Sequence, residues 1–473
     1  MKKQLSFLLF LVLLVSCTAE QEKSKPNIVF IFADDMCYDA VAAHGLNDEV
    51  ITPNLDRLSE SSVTFTHAFN MGAWNGAVCV ASRAMINTGR FVWNAYPCDK
   101  TSEMTRLNKE GQLWAPLMKS AGYETYLTGK WHVKVDPDSV FDHVVHPRGG
   151  MPRQTEAGYN RPLSENDTTW QAWKTEFGGY WEGGKHWSEV LGDDALDFIA
   201  QAQEKAKPFF MYLAFNAPHD PRQSPKEFVD MYPLENIAVP ESFLPEYPYN
   251  DEMGCPRTLR DEHLAPFPRT EYAVKVNRQE YYAIITHMDQ QIGRILDAIE
   301  ASGKADNTYI FFTADHGLSV GCHGLMGKQN MYDHSIRPPL MVAGPDVPKG
   351  KKIDAAVYLQ DIMATCLELA GLEKPDFVEF SSLMPFIRGQ QKESNYPAIY
   401  GCYRNHQRMI RTEDYKLIIY PKAKVVRLYD MKNDPLELVD LAQKAEYKDL
   451  VASMKDDFKA LQKQYNDTLL IDF

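Results

Sequence analysis

Continuous apolar runs of strand length recur four times along the chain. They cover residues 26–33, 123–128, 208–215 and 307–314, and the 123–128 run is the least apolar of them. A run without alternating polar positions is typical of a strand that is covered on both faces. The pattern therefore predicts four buried strands of one central sheet.

Polar residues follow each of these runs directly. Asp34 and Asp35 follow the first, and Gly-Lys-Trp-His (129–132), Asn-Ala-Pro-His (216–219) and Asp-His-Gly (315–317) follow the others. In open α/β sheets the ligand site lies at the carboxyl ends of the strands. We therefore expect the four strand ends to form one cleft.

The clearest helical period lies between Arg278 and Ser302, where apolar residues recur on one face and Gly303 marks the end. This helix leads directly into the 307–314 strand, as in an αβ unit. Residues 221–269 are rich in proline, aromatic and acidic residues without a clear period. We expect them to form a long ordered loop over the cleft.

The pattern changes after residue 375. Short runs at 398–402, 407–411, 415–420 and 425–430 predict an antiparallel sheet, and residues 444–465 predict a final helix. We expect an α/β fold with a large mixed central sheet flanked by helices over residues 26–375. A smaller C-terminal subdomain, an antiparallel sheet plus a helix, would cover residues 376–473.

The N-terminus has the features of an export signal over residues 1–16. Two lysines precede an apolar stretch that is too short to span a membrane, and small residues precede Cys17. The pattern resembles a bacterial lipoprotein signal, in which Cys17 is lipidated and residues 17–25 form a tether. We expect an exported lipoprotein, anchored to a membrane on its periplasmic or cell-surface side. The alternative is an ordinary signal peptide with an incidental cysteine.

The net charge of the chain argues against some classes of binding partner. The chain has 64 acidic and 50 basic residues, which gives a formal net charge of −14. Such a chain has no overall attraction for a nucleic-acid backbone, so we expect no nucleic-acid partner. An anionic substrate would have to be bound by a local basic pocket.

The most specific motif is Cys79-Val80-Ala81-Ser82-Arg83, which is followed by Thr88-Gly89-Arg90. It resembles the signature of the type I sulfatases, members of the alkaline phosphatase superfamily, in which the cysteine is oxidised to formylglycine after synthesis. The resemblance implies an alkaline-phosphatase-like fold, a sulfuric ester hydrolase and a formylglycine-maturing enzyme as a partner. Ala81 replaces the commoner proline, so the maturing enzyme stays undetermined.

A metal site is implied by the same resemblance. Asp34, Asp35, Asp315 and His316 match the family's ligands to one divalent cation, together with the modified Cys79. Carboxylate oxygens suit Ca²⁺, which is the usual ion, and Mg²⁺ is the alternative. His316 stands where many members have asparagine.

The remaining motifs supply cations and proton carriers. Gly-Lys-Trp-His and Ala-Pro-His resemble family elements, and they contain Lys130, His132 and His219. Arg83 and Lys130 would hold the modified Cys79, and His219, with Lys328, would act on the leaving oxygen. The division of proton transfer between His132 and His219 stays open.

Residues that flank the motifs are candidates for substrate contact: Trp74, Asn75 and His323. The predicted export, the aromatic content and the usual substrates of the family suggest a sulfated carbohydrate as the substrate. They specify neither the sugar nor the sulfated carbon. Specificity is expected in the loops at 74–76, 170–187 and 221–269 and in residues near His323 and at 404–406. The aromatic residues of 170–187 are either a sugar platform or packing that fixes an insert.

Two alternative functions remain. A phosphonate or phosphate ester hydrolase of the same superfamily would share the fold and the metal cleft. A non-catalytic glycan-binding lipoprotein would share the fold as well, but it would be expected to lack the charged site residues that this chain retains. Assays of sulfate and phosphonate esters distinguish the first alternative, and a Cys79→Ala variant distinguishes the second.

Overall fold

The computed structural model describes residues 24–472. The predicted signal segment and Cys17 lie outside the described residues. The strands are β1 Asn27–Asp34, β2 Val63–Phe65, β3 Ala68–Phe69, β4 Gly72–Ala73, β5 Glu124–Lys130, β6 His143–Arg148, β7 Trp181–Glu182, β8 Lys185–His186, β9 Phe209–Pro218, β10 Thr308–Ala314, β11 Leu340–Ala343, β12 Lys351–Ile353, β13 Val357–Tyr358, β14 Ile399–Tyr403, β15 Gln407–Arg411, β16 Tyr415–Tyr420 and β17 Val425–Asp430.

The helices alternate with these strands in the first part of the chain. They are α1 Pro53–Glu60, α2 Val78–Thr88, α3 Val92–Ala95, α4 Thr101–Lys109, α5 Trp114–Ser120, α6 Trp187–Gln203, α7 Lys226–Asp230, α8 Glu271–Ala301, α9 Asp333–Ile336, α10 Asp361–Leu369, α11 Met384–Ile387 and α12 Lys448–Gln464. None of them, within residues 24–472, is both long and apolar enough to cross a membrane.

The central sheet has the order β12-β2-β11-β10-β1-β9-β5-β6. The four apolar runs form its adjacent inner strands β10, β1, β9 and β5, which pair in parallel. The pairs β10–β11 and β11–β2 are antiparallel, so the sheet is mixed. This confirms the predicted central sheet and brings the carboxyl ends of its inner strands to one edge.

Alternation along β1 explains why its sequence is apolar throughout. Ile28, Phe30 and Phe32 pack into one hydrophobic core, whereas Val29 and Ile31 pack into the other, on the opposite face of the sheet. All eight residues of the strand are buried. Each large apolar side chain buried in this way contributes about 1.5–3 kcal/mol to folding.

Helix α8 begins at Glu271 instead of Arg278, the predicted start. The Thr270 hydroxyl accepts a hydrogen bond from the amide of Ala273 at 3.1 Å and caps the additional turns. The helix packs against α6, α1 and α7 on one face of the sheet. Before it, residues 221–269 form an irregular segment that contains α7.

The C-terminal sheet has the order β17-β16-β15-β14-β4, and α12 packs against β15 and β16. This confirms the predicted smaller antiparallel sheet with a helix. Its edge strand β4 comes from the large domain and pairs in parallel with Cys402 and Tyr403. A Cβ at Gly72 would lie 1.8 Å from the Cys402 carbonyl oxygen, and φ there is +90°, so this close approach requires glycine. The boundary at 375/376 stays a prediction, because the two regions share this sheet and one core.

Candidate active site

Polar side chains from five segments meet at the carboxyl edge of the central sheet. Asp34 ends β1, Lys130 ends β5, and His219 follows β9 directly, while Asp315 follows β10. Cys79 lies in the first turn of α2, whose N-terminus faces the same place. The cleft predicted from the strand ends is therefore present.

Cys79 is buried at the centre of this group. Its Sγ lies 3.4 Å from Nε2 of His316, 3.4 Å from Nζ of Lys328 and 3.9 Å from Oδ1 of Asp35. Burial alone would raise the pKa of the thiol, but the charges of Lys130, Lys328 and His316 hold it well below its usual value. The position thus favours negative charge on the group that it carries.

Arg83 lies one turn further along α2 and is completely buried. Its Nε is 3.2 Å from Oδ2 of Asp315, and NH1 donates to the carbonyl oxygen of Lys130 at 2.7 Å. The guanidinium also lies over the ring of Phe32, 4.5 Å from its centroid. These contacts fix α2, and with it Cys79, against the ends of three strands.

Two lysines flank Cys79. The Lys130 ammonium forms an ion pair with Asp34. Nζ of Lys328 lies 2.7 and 2.9 Å from the two oxygens of Asp35. With Arg83 they form the local basic pocket that an acidic protein needs in order to bind an anion.

The residues predicted to bind a metal converge as well. One potential ligand atom from each lies within 4.8 Å of those of the others, in the set Asp34, Asp35, Cys79, Asp315 and His316. Oδ1 of Asp34 is buried and accepts no hydrogen bond from the described residues, although a guanidinium nitrogen of Arg83 lies 3.6 Å away. A buried carboxylate oxygen without a hydrogen bond, beside three other oxygen and nitrogen donors, fits a divalent cation.

The two predicted histidines differ in their surroundings. Nε2 of His219 lies 3.7 Å from Oδ2 of Asp35, and Nδ1 lies 2.9 Å from Oδ1 of Asp220. Burial lowers the pKa of His219, but the Asp35 and Asp220 carboxylates together outweigh it, and the pKa is raised to about 10. His132 is partly buried, its Nδ1 has no hydrogen-bond partner among residues 24–472, and burial lowers its pKa.

The candidates for substrate contact lie in different environments. Trp74 is 7% exposed, and its ring lies 6.0 Å from that of Tyr96. Nδ2 of Asn75 donates to Asp99 at 3.0 Å, while its Oδ1 has no hydrogen-bond partner in the described part of the chain. Both residues lie in the segment just before α2, the helix that carries Cys79.

His323 contacts Tyr332, Glu437 and His334. Its ring stacks on Tyr332 at a centroid distance of 3.9 Å, and Nε2 lies 3.0 Å from the carbonyl oxygen of Glu437. Nδ1 lies 3.3 Å from Nε2 of His334. Both ring nitrogens are therefore engaged inside the protein, and these contacts give no support to a substrate-binding role.

The aromatic residues of 170–187 act as packing in this structure. Trp170 lies under the guanidinium of Arg161 at 3.6 Å and is 6% exposed. Tyr180 is fully buried, and its hydroxyl donates to the carbonyl oxygens of Asn216 and His219 at 2.9 and 3.0 Å. The insert thus fixes the segment that carries His219.

Sequence reasoning missed three charged residues beside the pocket: Asp220, Arg260 and Asp261. Asp220 follows the Ala-Pro-His motif directly, which is a signal that could have found it. Arg260 and Asp261 belong to the segment predicted to lie over the cleft, but nothing in its pattern marks them. Oδ2 of Asp261 lies 4.0 Å from Nζ of Lys328.

A family model described as Sulfatase matches residues 26–372, and a second one, described as N-sulphoglucosamine sulphohydrolase, C-terminal, matches residues 321–464. The chain belongs to the sulfatase family. This membership confirms the resemblance drawn from the Cys79 motif, and it identifies the protein as a sulfuric ester hydrolase. The individual roles of the site residues stay predictions.

Known proteins similar to this sulfatase cover almost all of it. The N-acetylglucosamine-6-O-sulfatase of Bacteroides thetaiotaomicron is 28% identical over 530 residues, which include 96% of this chain and 89% of that protein. A solved structure of a protein in complex with its substrate D-glucosamine-2-N,6-O-disulfate has a TM-score of 0.72 at 24% identity, covering 94% of this sulfatase and 99% of that chain.

A phosphonate monoester hydrolase of Agrobacterium radiobacter shares the fold as well. Its TM-score is 0.72 at 21% identity, covering 94% of this sulfatase and 97% of that chain. One fold therefore carries both sulfate and phosphonate ester chemistry, and the choice between them depends on the site.

Proposed function

We propose that the protein is a carbohydrate sulfatase that uses formylglycine made from Cys79 and one divalent cation. The observation that carries this proposal is the buried pocket around Cys79, where Arg83, Lys130 and Lys328 surround the residue that the family signature marks for oxidation. The sulfate group of an ester carries one negative charge, and it would meet three fixed cationic side chains there.

The modified residue and the cation would supply the central chemistry. Hydrated formylglycine would offer one hydroxyl as nucleophile and a second one for release of sulfate, and Asp34, Asp35, Asp315 and His316 would hold a cation that acts as a Lewis acid. The protein's own residues bind and orient the ester. Lys130 and Lys328 neutralise charge on the non-bridging oxygens, and Arg83 fixes the helix that carries position 79.

Proton transfer falls to the two histidines. Nε2 of His219 faces the pocket beside Asp35, so it can donate a proton to the leaving oxygen of the ester. His132 follows the end of β5, and its side chain interacts with that of Cys79, so it can accept a proton from a group at position 79. This assignment of acid to His219 and base to His132 is part of the proposal.

For the substrate we propose a sulfated glycan, with glucosamine sulfates as the first candidates. The names of two similar proteins support this choice, since one is an N-acetylglucosamine-6-O-sulfatase and the other was solved with a glucosamine disulfate. Tyr96, which is 53% exposed beside Trp74, offers an aromatic surface near the start of the helix that carries Cys79.

Export and anchoring are part of the same proposal. The sequence before residue 17 supports an exported lipoprotein anchored through Cys17, and oxidation of Cys79 requires a maturing enzyme as a partner. Detergent-phase partition of the full chain, compared with a Cys17→Ser variant, tests the anchor. A variant that stays in the detergent phase would contradict lipidation at this position.

The central experiment combines mass spectrometry and turnover. The Cys79 peptide of protein from its native host should carry the aldehyde or its hydrate. The same preparation should hydrolyse N-acetylglucosamine 6-sulfate or an aryl sulfate faster than an aryl phosphonate. An unmodified thiol in fully active protein would contradict the mechanism, and preference for the phosphonate would contradict the substrate class. Undiminished desulfation by a Cys79→Ala variant would show that Cys79 takes no part in catalysis.

A further inference from the structure

Three charged side chains contact one another in a row: His219, Asp220 and Arg260. His219 is the innermost of the three. Its Nδ1 lies 2.9 Å from Oδ1 of Asp220 and 2.8 Å from the backbone oxygen of the same residue. The other oxygen, Oδ2 of Asp220, accepts a hydrogen bond from NH1 of Arg260 at 2.7 Å. The row thus runs from the pocket through a carboxylate to a guanidinium.

The exposure of the three side chains decreases toward the pocket. The Arg260 side chain is 35% exposed, whereas those of Asp220 and His219 are 5% and 4% exposed. A carboxylate that deep needs a fixed partner of opposite charge, and Arg260 provides it. Arg260 also forms an ion pair with Asp261.

A carboxylate on Nδ1 has a defined effect on an imidazole. It accepts the Nδ1 proton, fixes the plane of the ring and leaves Nε2 as the atom that faces the reacting group. In this chain Nε2 faces the pocket, 3.7 Å from Asp35. His132 has no such partner, because its Nδ1 is without a hydrogen bond among the described residues.

We propose that Asp220 and Arg260 are positioning residues, which hold Nε2 of His219 toward the leaving oxygen of the ester. The inference rests on the proposed function, since it assumes that an ester oxygen leaves from this pocket. Asp220 fixes the ring, and Arg260 fixes Asp220. Neither residue is proposed to touch the substrate.

The segment that supplies Arg260 also reaches the other side of the pocket. Oδ2 of Asp261 accepts a hydrogen bond from Nε2 of Gln329 at 2.8 Å, and Gln329 follows Lys328 directly. Residues 260 and 261 therefore connect the segment over the cleft to both the His219 and the Lys328 side. This explains how a segment without regular structure can set the geometry of the pocket.

The test uses matured full-length protein and aryl sulfates whose phenols differ in acidity. An ester of an acidic phenol, such as 4-nitrophenol, needs little proton donation, whereas phenyl sulfate and N-acetylglucosamine 6-sulfate need it fully. For Asp220→Asn and Arg260→Met we expect kcat/KM to fall roughly 100-fold on the poor leaving groups and to stay within about threefold on 4-nitrophenyl sulfate. Arg260→Lys should recover part of the loss.

Matched controls come from a second ion pair of the same segment. Arg257 and Glu246 are paired at 2.5 Å, with side chains 60% and 33% exposed. Arg257→Met and Glu246→Gln should leave the turnover of 4-nitrophenyl sulfate and of phenyl sulfate unchanged, because neither ester carries a sugar for this segment to recognise. His219→Ala should show the same dependence on the leaving group as Asp220→Asn, and the double variant should be no worse than His219→Ala alone.

Three results would overturn the inference. Equal losses on good and poor leaving groups would mean that Asp220 acts on overall structure. Loss of a bound cation from Asp220→Asn, measured by elemental analysis, would make Asp220 a metal ligand, because Asp35, His219 and Asp220 also lie within ligand distance of one another. Full activity of Arg260→Met on every ester would mean that Arg260 does not help to position His219. If unmutated protein hydrolysed no sulfate ester, the proposed function itself would fall, and the leaving-oxygen role of these residues with it.

Discussion

Gly150 lies so close to the ring of His132 that a Cβ at position 150 would be 2.5 Å from Cε1 and 2.8 Å from Nε2. The turn at 149–150 is held in place by Asn216, whose Nδ2 lies 3.3 and 3.5 Å from the two glycine carbonyl oxygens. Asn216 begins the segment that leads to His219. The turn at 149–150 therefore packs against His132 and is also hydrogen-bonded to the segment that carries His219.

Replacing Gly150 by alanine should displace the His132 ring. Displacement of about 1 Å at a reacting group can reduce the rate by up to roughly 100-fold, so we expect kcat to fall between about 10- and 100-fold. The thermal unfolding midpoint should change little, because the partly exposed ring can move. Steady-state kinetics and a thermal scan measure the two effects.

Gly149→Ala is the matched control. No heavy atom lies within 4 Å of a Cβ at this position, and its φ is not in the left-handed region. Its activity should equal that of the unmutated protein. Equal losses in the two variants would show that the turn matters for a reason other than contact with His132.

The sequence predicted the inner strands and the pocket well because both depend on local pattern. A run such as 26–33 is apolar on both faces. A strand needs such a run only if both of its faces are covered, and the structure places this strand inside the sheet. Strand ends that carry Asp34 and Asp315 must then come together, since parallel neighbours end at the same edge.

Features that depend on distant pairing could not be predicted in this way. The two-residue strand β4 has no pattern of its own and forms only because β14 lies beside it. His323 is close to Lys328 in sequence, but its left-handed backbone at φ 55° turns the ring onto Tyr332. The pair of Asp220 and Arg260 spans 40 residues of chain without a period.

Removing the cation should destabilise the protein as well as inactivate it. Without it, Oδ1 of Asp34 is left buried without a hydrogen bond from the described residues, with the Arg83 guanidinium 3.6 Å away, and we expect a cost of about 1–3 kcal/mol. We expect a chelator to lower the unfolding midpoint and Ca²⁺ to restore it more fully than Mg²⁺, because Ca²⁺ tolerates an irregular set of ligands. Elemental analysis should find about one cation per chain, and Asp34→Asn should lose it. A midpoint that does not respond to chelation would contradict the assigned ligands.

Removing the hydroxyl of Tyr180 should affect both stability and turnover. Tyr180→Phe removes the hydroxyl donor from the carbonyl oxygens of Asn216 and His219, and Asn216 keeps the amide of His219 as a donor at 3.1 Å, so we expect a cost of about 1–3 kcal/mol, mainly at His219. Because one of these carbonyls belongs to His219, kcat should fall as well, by roughly 10-fold.

Tyr232→Phe provides the comparison for that change. The Tyr232 hydroxyl is buried too, and it bonds to Thr286 and to the amide of Ile51, away from the pocket. This variant should lose similar stability but keep its kcat. If both tyrosine variants kept full activity, Tyr180 would be a purely structural residue.

Asp361 should make stability depend on pH. Asp361 is the first residue of α10, and its carboxylate accepts hydrogen bonds from the amides of Tyr358 and Ser381 at 3.0 and 2.9 Å and from the Tyr396 hydroxyl. Burial nevertheless raises its pKa from 3.8 to about 7, so the folded state binds a proton that the unfolded state has released between these values. The contribution of Asp361 is therefore fully present below pH 3.8 and is lost as the pH rises through 7.

Asp361→Asn cannot titrate, so it isolates this contribution. The difference in unfolding free energy between the unmutated protein and the variant should be largest near pH 4 and should shrink by up to about 4 kcal/mol by pH 8. Asparagine also replaces one acceptor by a donor beside two amides, which adds a constant loss at every pH. Urea unfolding at pH 4.5, 6 and 8 separates the two effects, because only the titration changes with pH. A difference that stays the same at all three pH values would mean that Asp361 is ionised in the folded protein throughout this range.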